Sequence, residues 1–124
     1  MLLGARQFVA LRCAACHQPG LFTDRVPGVE ALSFRVFFPF TDLLLHDMGK
    51  LGDGIEQGGA GPSEMRTPPL WGLRVSAPYL HDGRAATITD AIQAHDGEAA
   101  GSRAAFERAT ARERDDLLAF LGFL

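Results

Sequence analysis

Cys13-Ala14-Ala15-Cys16-His17 has the Cys-x-x-Cys-His spacing by which a c-type haem is attached to a protein. In such a site the two thiols add to the haem vinyl groups as thioethers, and the imidazole of the next residue binds the iron. Two cysteines at this spacing lie on roughly one side of a helical turn, so the following side chain comes beneath the porphyrin. The run predicts one haem c, covalently bound through Cys13 and Cys16, with His17 as proximal iron ligand.

Three other kinds of site can contain a Cys-x-x-Cys pair. A thioredoxin-type redox pair belongs beside alternating strands and helices, and the sequence shows no such alternation. A zinc site needs a second pair of ligands, but the chain has two cysteines in all, and His46, His81 and His95 are too widely spaced for a His-x(3–5)-His pair. A disulfide across so short a loop would cross-link little chain. The adjacent histidine therefore favours haem attachment.

Length and composition predict a single domain over residues 1–124. The chain has 124 residues, which is enough for a core of its own. Its formal charge of −3 is small and both signs are interspersed, so nothing indicates a nucleic-acid partner or an anionic membrane. Arg35, Pro39 and Asp42 interrupt the most apolar stretch, so no run reaches membrane-spanning length.

Both ends of the chain have the pattern of amphipathic helices. Apolar residues and Gly4 recur at helical spacing within a helix predicted over about residues 2–15. Glycine weakens a helix, so Gly4 indicates that another element approaches closely there. The expected partner is the last helix, which a capping box of Thr110 and Glu113 opens. Its apolar stripe consists of Leu117, Leu118, Leu121 and Leu124.

Between these helices the sequence predicts little regular structure. Glycines and prolines recur through residues 18–40, beside an apolar patch that we expect to form core or haem-pocket wall: Phe34, Val36, Phe37, Phe38 and Phe40. A short helix is predicted from a cap at Thr41 to Gly49, with Met48 on its apolar side and His46 facing away. Six glycines and three prolines then predict an irregular loop over residues 49–69.

A histidine ends the next predicted helix. Thr87 and Asp90 form a second capping box after the Asp82-Gly83 turn. The buried stripe of this helix ends at His95, and Gly97 then stops the helix. A lone histidine on an apolar face is usually a packed core residue, but a haem iron with one open position makes His95 a candidate ligand.

Three ordered strings after the haem motif resemble the C-terminal haem domain of the bacterial di-haem oxidoreductase family: Thr41-Asp-Leu-Leu-Leu-His-Asp-Met-Gly49, Arg66-Thr-Pro-Pro-Leu-Trp-Gly72 and Leu80-His-Asp-Gly-Arg84. Its members are described as peroxidases or thiol oxidoreductases and are related to the di-haem cytochrome c peroxidases. The resemblance covers nearly the whole chain. It implies a bacterial, periplasmic electron-carrier domain within a larger di-haem enzyme.

The expected crossing of the terminal helices resembles the plan of a class I cytochrome c. That resemblance implies an all-α fold, in which the haem packs among short helices and long irregular loops.

The family resemblance also implies the ligand set. In the related peroxidases the C-terminal haem is six-coordinate and relays electrons to a separate peroxidatic haem. Its distal ligand is a Met near the end of the helix that follows the His-Asp-Gly turn. His95 occupies that position here, which implies a bis-His haem with His17. Met48 is the second candidate and an open or water-bound position the third; His46 and His81 are poorer candidates.

Other residues in these strings are candidates for haem contacts. Arg66 and Arg84 could neutralise the haem propionates, because buried carboxylates need a partner, although a solvated surface position is an equally simple role for each. Trp71 is the only tryptophan and could line the haem edge, with packing as the simpler role.

The predicted function is electron transfer through one covalent haem, with a second haem domain or another redox protein as partner. A complete di-haem peroxidase is not predicted, because the chain has a single haem motif. One alternative is a haem peroxidase or sensor with a vacant iron site, whose acid-base groups would be His46, His81 or Glu64. The other is a haem-free thiol oxidoreductase.

Covalent haem attachment takes place outside the bacterial cytoplasm, so we expect a periplasmic location. Met1–Leu11 contains neither a signal-length apolar region nor a cleavage site. Either the chain is part of a longer exported protein or its start codon is misplaced, and we expect the first.

Overall fold

Helices occupy both ends of the chain and short strands its middle. The structure is a computed structural model that describes residues 2–124. Within that range its helices and strands are α1 (Leu2–Ala10), β1 (Leu21–Phe22), β2 (Val36–Phe37), β3 (Leu45–Asp47), β4 (Glu64–Arg66), α2 (Ile88–Ala94), α3 (Ala100–Arg108) and α4 (Ala111–Leu121). Single turns of 3-10 helix lie at Cys13–Ala15, Glu30–Leu32, Gly49–Leu51, Leu73–Val75 and Gly97–Ala99.

The packing of α1 against α4 forms the centre of the core. A Cβ at Gly4 would collide with the backbone oxygen of Asp116 and with Phe120, so the close approach expected at this glycine is confirmed. One turn further on, the buried Phe8 ring makes an edge contact with Phe120, with ring centroids 5.5 Å apart. The core cluster consists of Phe8, Leu11, Leu70, Phe106, Leu117 and Leu121.

Both predicted capping boxes are present. The Thr87 hydroxyl accepts a hydrogen bond from the Asp90 backbone N–H, and the Asp90 carboxylate accepts one from the Thr87 backbone. Thr110 and Glu113 make the same reciprocal pair at the start of α4. These bonds satisfy backbone groups that would otherwise be unpaired at a helix start, which is why the local sequence sufficed to place α2 and α4.

The expectation of an all-α fold is wrong, because the middle of the chain contains two small antiparallel sheets. β1 pairs with β2, with Phe22 opposite Val36, and β3 pairs with β4, with His46 opposite Met65. Each strand has only two or three residues, which is too short for an alternating pattern to be visible in the sequence. The fold therefore mixes helices with short strands.

The helix predicted over residues 41–49 is absent from the described chain, and β3 lies in its place. The Thr41 hydroxyl accepts the Leu43 backbone N–H at 2.9 Å and donates to the Thr67 carbonyl at 2.7 Å, instead of capping a helix. Leu43 then adopts a left-handed conformation with φ 63°, which a continuing helix does not permit. The partner strand β4 lies inside the irregular loop predicted over residues 49–69. Backbone pairing of β3 with β4 outweighs the local helix cap at Thr41.

The apolar patch of residues 34–40 is only partly buried, which corrects the expectation that it forms core or pocket wall. Phe34, Val36 and Phe38 are each about 60% exposed. Phe37 and Phe40 are half-buried, and the Phe40 ring packs against Phe8 with centroids 5.8 Å apart. Across residues 2–124 no helix combines the length and the apolar character needed to cross a membrane.

Candidate haem-binding site

The Cys-x-x-Cys-His motif lies just after the first helix. α1 ends at Ala10, shorter than predicted, and Arg12 takes a left-handed conformation with φ 67°. The chain then forms the Cys13–Ala15 turn, and the His17 backbone N–H donates to the Cys13 carbonyl at 2.9 Å. This turn brings Cys13, Cys16 and His17 to the wall of one cavity.

The two cysteines are free thiols, and neither has the character of a reactive thiolate. Burial raises the pKa of Cys13 to about 11. Burial also raises the pKa of Cys16, together with the nearby negative charges of Asp42 and Glu98. Both groups are therefore neutral thiols near pH 7 in the folded chain.

The imidazole of His17 is oriented by a residue 23 positions away. Its Nδ1 lies 3.1 Å from the carbonyl oxygen of Phe40. A carbonyl can only accept, so Nδ1 carries the proton and Nε2 is the nitrogen available to a metal. Burial lowers the pKa of His17, which favours the neutral imidazole that a metal requires.

His95 lies directly after α2 and is oriented by that helix. Its Nδ1 lies 2.7 Å from the carbonyl oxygen of Ala91, one turn earlier. The same argument makes Nδ1 the donor and leaves Nε2 free. Burial lowers the pKa of His95 as well, so both histidines are neutral.

The two imidazoles face each other across the cavity. Their ring centroids are 6.5 Å apart, and the ring planes are inclined at 51°. A metal–nitrogen bond of about 2 Å on each side of one ion, with the ring radius added, gives centroids roughly 6.3 Å apart. The observed spacing would therefore allow His17 and His95 to hold one iron ion between them.

The cavity between them has a volume of about 580 Å³. This volume lies in the range of cofactor pockets. Of the other residues predicted to contact haem, Met48, Arg66 and Trp71 line the cavity. Among the described residues Arg84 does not line it, and its guanidinium pairs instead with Asp82. Two arginines that the sequence did not single out, Arg12 and Arg103, also line it and are further candidates to meet propionates.

The cavity wall also contains a histidine held between two carboxylates. His46 Nε2 lies 2.9 Å from Asp42, and Nδ1 lies 2.9 Å from Glu98. Carboxylates accept hydrogen bonds, so both ring nitrogens donate and the imidazole is charged. The hydrogen bond to Glu98, followed by that to Asp42, raises the pKa of His46.

Sequence reasoning missed this Asp42–His46–Glu98 cluster. The omission followed from the predicted helix, in which His46 faces away from the apolar stripe. In the structure this residue lies in β3, and its side chain points towards the cavity. Asp42 and His46 are four residues apart, a spacing that signals a pair on a helix, but Glu98 is 52 residues from His46. No local signal could have indicated the second carboxylate.

The site combines two cysteines beside a histidine with a second neutral imidazole on the other side of an apolar cavity. This combination is typical of haem-binding redox domains. Comparison with known proteins gives the family. The model of a family described as "Di-haem oxidoreductase, putative peroxidase" matches residues 1–124. The chain belongs to this family. Membership confirms the resemblance drawn from the sequence strings and gives the chain a haem-based redox role.

The chain is also similar to methylamine utilization protein MauG of Methylorubrum extorquens. The two are 34% identical over 124 residues, which is 88% of this chain and 30% of MauG. The chain therefore spans less than a third of the length of this curated relative. No solved structure matches the chain.

Proposed function

We propose that this chain transfers electrons through one haem c, bound covalently by Cys13 and Cys16 and ligated by His17 and His95. The observation that carries the proposal is the facing pair of neutral imidazoles, each with its Nδ1 bonded to a carbonyl and their centroids 6.5 Å apart. When bound, the haem supplies one-electron redox chemistry at its iron. The protein holds both ligands in place and surrounds the ring with apolar side chains.

Fixed ligands favour electron transfer over chemistry at the iron. The carbonyl of Phe40 and the carbonyl of Ala91 fix the orientation of the two rings, so neither must rotate between redox states. With His17 and His95 both holding the iron, no position would be left for a peroxide or a gas. This arrangement argues against the open-site peroxidase or sensor and supports the role of an electron relay.

The neutral thiols argue against a haem-free thiol oxidoreductase. Such enzymes depend on a cysteine whose pKa is lowered towards neutrality. In this chain burial raises the pKa of Cys13 to about 11, and the pKa of Cys16 is raised as well. Slow alkylation of both thiols in haem-free protein at pH 7 is the expected result, and rapid alkylation of either would support the thiol enzyme.

Location and partner follow from the same proposal. Covalent haem attachment would place the protein in the bacterial periplasm. The family is described as di-haem, while this chain has one Cys-x-x-Cys-His motif. We propose that its redox partner is a second haem domain.

Low-temperature EPR of the oxidised, haem-loaded protein tests the ligand set. A low-spin bis-imidazole signal is expected. His95→Ala should convert it to a high-spin or water-bound form while the thioether-bound haem is retained. His81→Ala is the matched control, because His81 also lines the cavity but lies in an exposed turn. An unchanged bis-imidazole signal in His95→Ala would exclude His95 in favour of another histidine, whereas a histidine–thioether low-spin signal in the unmodified protein would move the assignment to Met48.

A further inference from the structure

Two neighbouring segments, residues 38–45 and 66–71, form an unusually apolar surface, which we term the 38–71 face. Their backbones run side by side, with hydrogen bonds from Leu70 to the Pro39 carbonyl and from Thr67 to the Leu44 carbonyl. Five large hydrophobic side chains on these segments are 45% exposed or more: Phe38, Leu43, Leu44, Leu45 and Trp71. An exposed apolar stretch of this kind is typical of an interaction surface.

Haem would leave most of this face uncovered. Of its five hydrophobic residues, only Trp71 is among the described residues that line the cavity. Leu45 lies in β3 next to His46, and successive strand residues point to opposite sides. His46 points to the cavity, so Leu45 points away from it. The cofactor would therefore leave this exposed hydrophobic area available to a partner.

The face also has almost no charge. Within residues 38–45 and 66–71 the charged residues are Asp42 and Arg66. The Asp42 side chain is only 5% exposed and is bonded to His46, which leaves Arg66. Partners that meet briefly are steered by complementary charges, whereas permanent interfaces are apolar and depleted of charge. This face fits a permanently associated neighbour better than a diffusing redox protein.

The face is connected to the proximal ligand by a short path. The Trp71 indole N–H donates to the Phe38 carbonyl at 2.6 Å. Two residues later the Phe40 carbonyl accepts the Nδ1 proton of His17 at 3.1 Å. One backbone segment, residues 38–40, thus joins an exposed indole to the imidazole that would hold the iron.

We infer that the 38–71 face binds the second haem domain of the di-haem assembly, and that the Trp71–Phe38–Phe40–His17 path couples the two haems. The inference rests on the proposed function. The family is di-haem and the chain has one haem motif, so the second haem belongs to polypeptide outside these residues. With both haems bound, one electron would pass from the haem of this chain to the second haem, so that the first would be oxidised and the second reduced. No bond is made and no proton moves.

The test uses the di-haem holoprotein with both haems bound, and hydroxyl-radical footprinting of its side chains. Phe38, Leu44 and Trp71 should be protected at least tenfold relative to Val9, which is 62% exposed on α1. Equal reactivity at Val9 and at the face would overturn the inference. Protection by a second copy of this chain, detected as a dimer of its haem-loaded form by light scattering, would also overturn it.

A matched pair of charge substitutions tests electron transfer. Leu44→Glu places a carboxylate in the face, and Val9→Glu places one at a similarly exposed site outside it. Leu44→Glu should slow haem-to-haem electron transfer at least tenfold and remove the footprint, whereas Val9→Glu should change neither. Equal rates in the two variants would overturn the inference.

A third variant separates electron transfer along the Trp71 path from binding of the second haem domain. Trp71→Phe keeps the apolar surface but removes the indole hydrogen bond, so the rate should fall several-fold while the footprint at Phe38 and Leu44 stays. An unchanged rate would remove Trp71 from the path. Loss of the bis-imidazole EPR signal in the unmodified protein would defeat the proposed function alone, because the footprint reports docking whatever the ligands are.

Discussion

The two histidines that face each other across the cavity are held in opposite ways. His95 is bonded to the carbonyl of Ala91, four residues earlier in the helix that it directly follows. His17 is bonded to the carbonyl of Phe40, 23 residues later, in a segment without helix. The His95 side is therefore built from local interactions, whereas the His17 side depends on distant parts of the chain meeting correctly.

The difference shows which half of the site can be recognised in a sequence. Thr87 and Asp90 cap α2 through contacts three residues apart, so the pattern is visible locally and predicts the position of His95. On the other side, Phe40 has φ 55°, an unfavourable conformation for a bulky residue, and its surroundings must impose it. Four sets of substitutions, in order of decreasing expected effect, test this contrast.

Gly4→Ala should cause the largest loss of stability. The new Cβ would collide with the Asp116 backbone oxygen, so α1 and α4 must separate. The free energy of unfolding should fall by about 3 kcal/mol, as expected for overpacking against backbone. Chemical denaturation measures this change in the free energy of unfolding. Gly59→Ala is the control, because a Cβ at Gly59 meets open space. Equal stability of the two variants would contradict the close approach at Gly4.

Thr41→Val should destabilise the part of the fold that orients His17. Thr41 is fully buried, and its hydroxyl bonds both Leu43 and the carbonyl of Thr67. Valine leaves two backbone groups without their partner, at a cost of about 2 kcal/mol. Thr41→Ser should restore most of this free energy because it keeps the hydroxyl. A valine variant as stable as the wild type would contradict the role of the hydroxyl, because valine keeps the methyl group of Thr41 and loses only its hydrogen bonds.

Thr87→Ala and Thr110→Ala form a matched pair on the local side. Each removes one helix cap, so each should lower the free energy of unfolding by about 1 kcal/mol. Only Thr87→Ala affects the helix that orients His95, so it alone should broaden the low-spin EPR signal of the haem-loaded protein. Equal spectra for the two variants would show that the α2 cap does not position His95.

His46→Gln should have the smallest effect and should depend on pH. The pKa of His46 is raised by Glu98 and Asp42, so its charged form stabilises the fold fully below its unfolded pKa of about 6.5. That contribution is lost as pH rises through the raised folded pKa. The stability difference between wild type and His46→Gln should therefore shrink between pH 6 and pH 9. A constant difference would contradict a charged His46.

The acid side of this pH dependence has the opposite sign. The hydrogen bond from His46 lowers the pKa of Glu98, so the carboxylate stabilises the fold above its unfolded pKa of about 4.5. This contribution is lost as pH falls through the lowered folded pKa. The cluster should thus be most stabilising between about pH 4.5 and pH 6.5.

The sequence by itself determined the Cys-x-x-Cys-His motif, the two capped helices, the approach at Gly4 and the position of His95. These features depend on residues three or four positions apart, or on one glycine whose missing side chain indicates a contact. Their interactions form within a single turn, so the order of residues encodes them directly.

Only the tertiary structure decided the two sheets, the orientation of His17 by Phe40, the cluster around His46 and the exposure of Phe38. Each depends on groups far apart in the chain: β3 pairs with β4, Phe40 is 23 residues from His17, and Glu98 is 52 residues from His46. Hydrogen bonds across such distances leave no periodic trace in the sequence. The local cap at Thr41 predicted a helix, but the Thr41 hydroxyl bonds the distant Thr67 carbonyl and residues 45–47 pair with β4 instead.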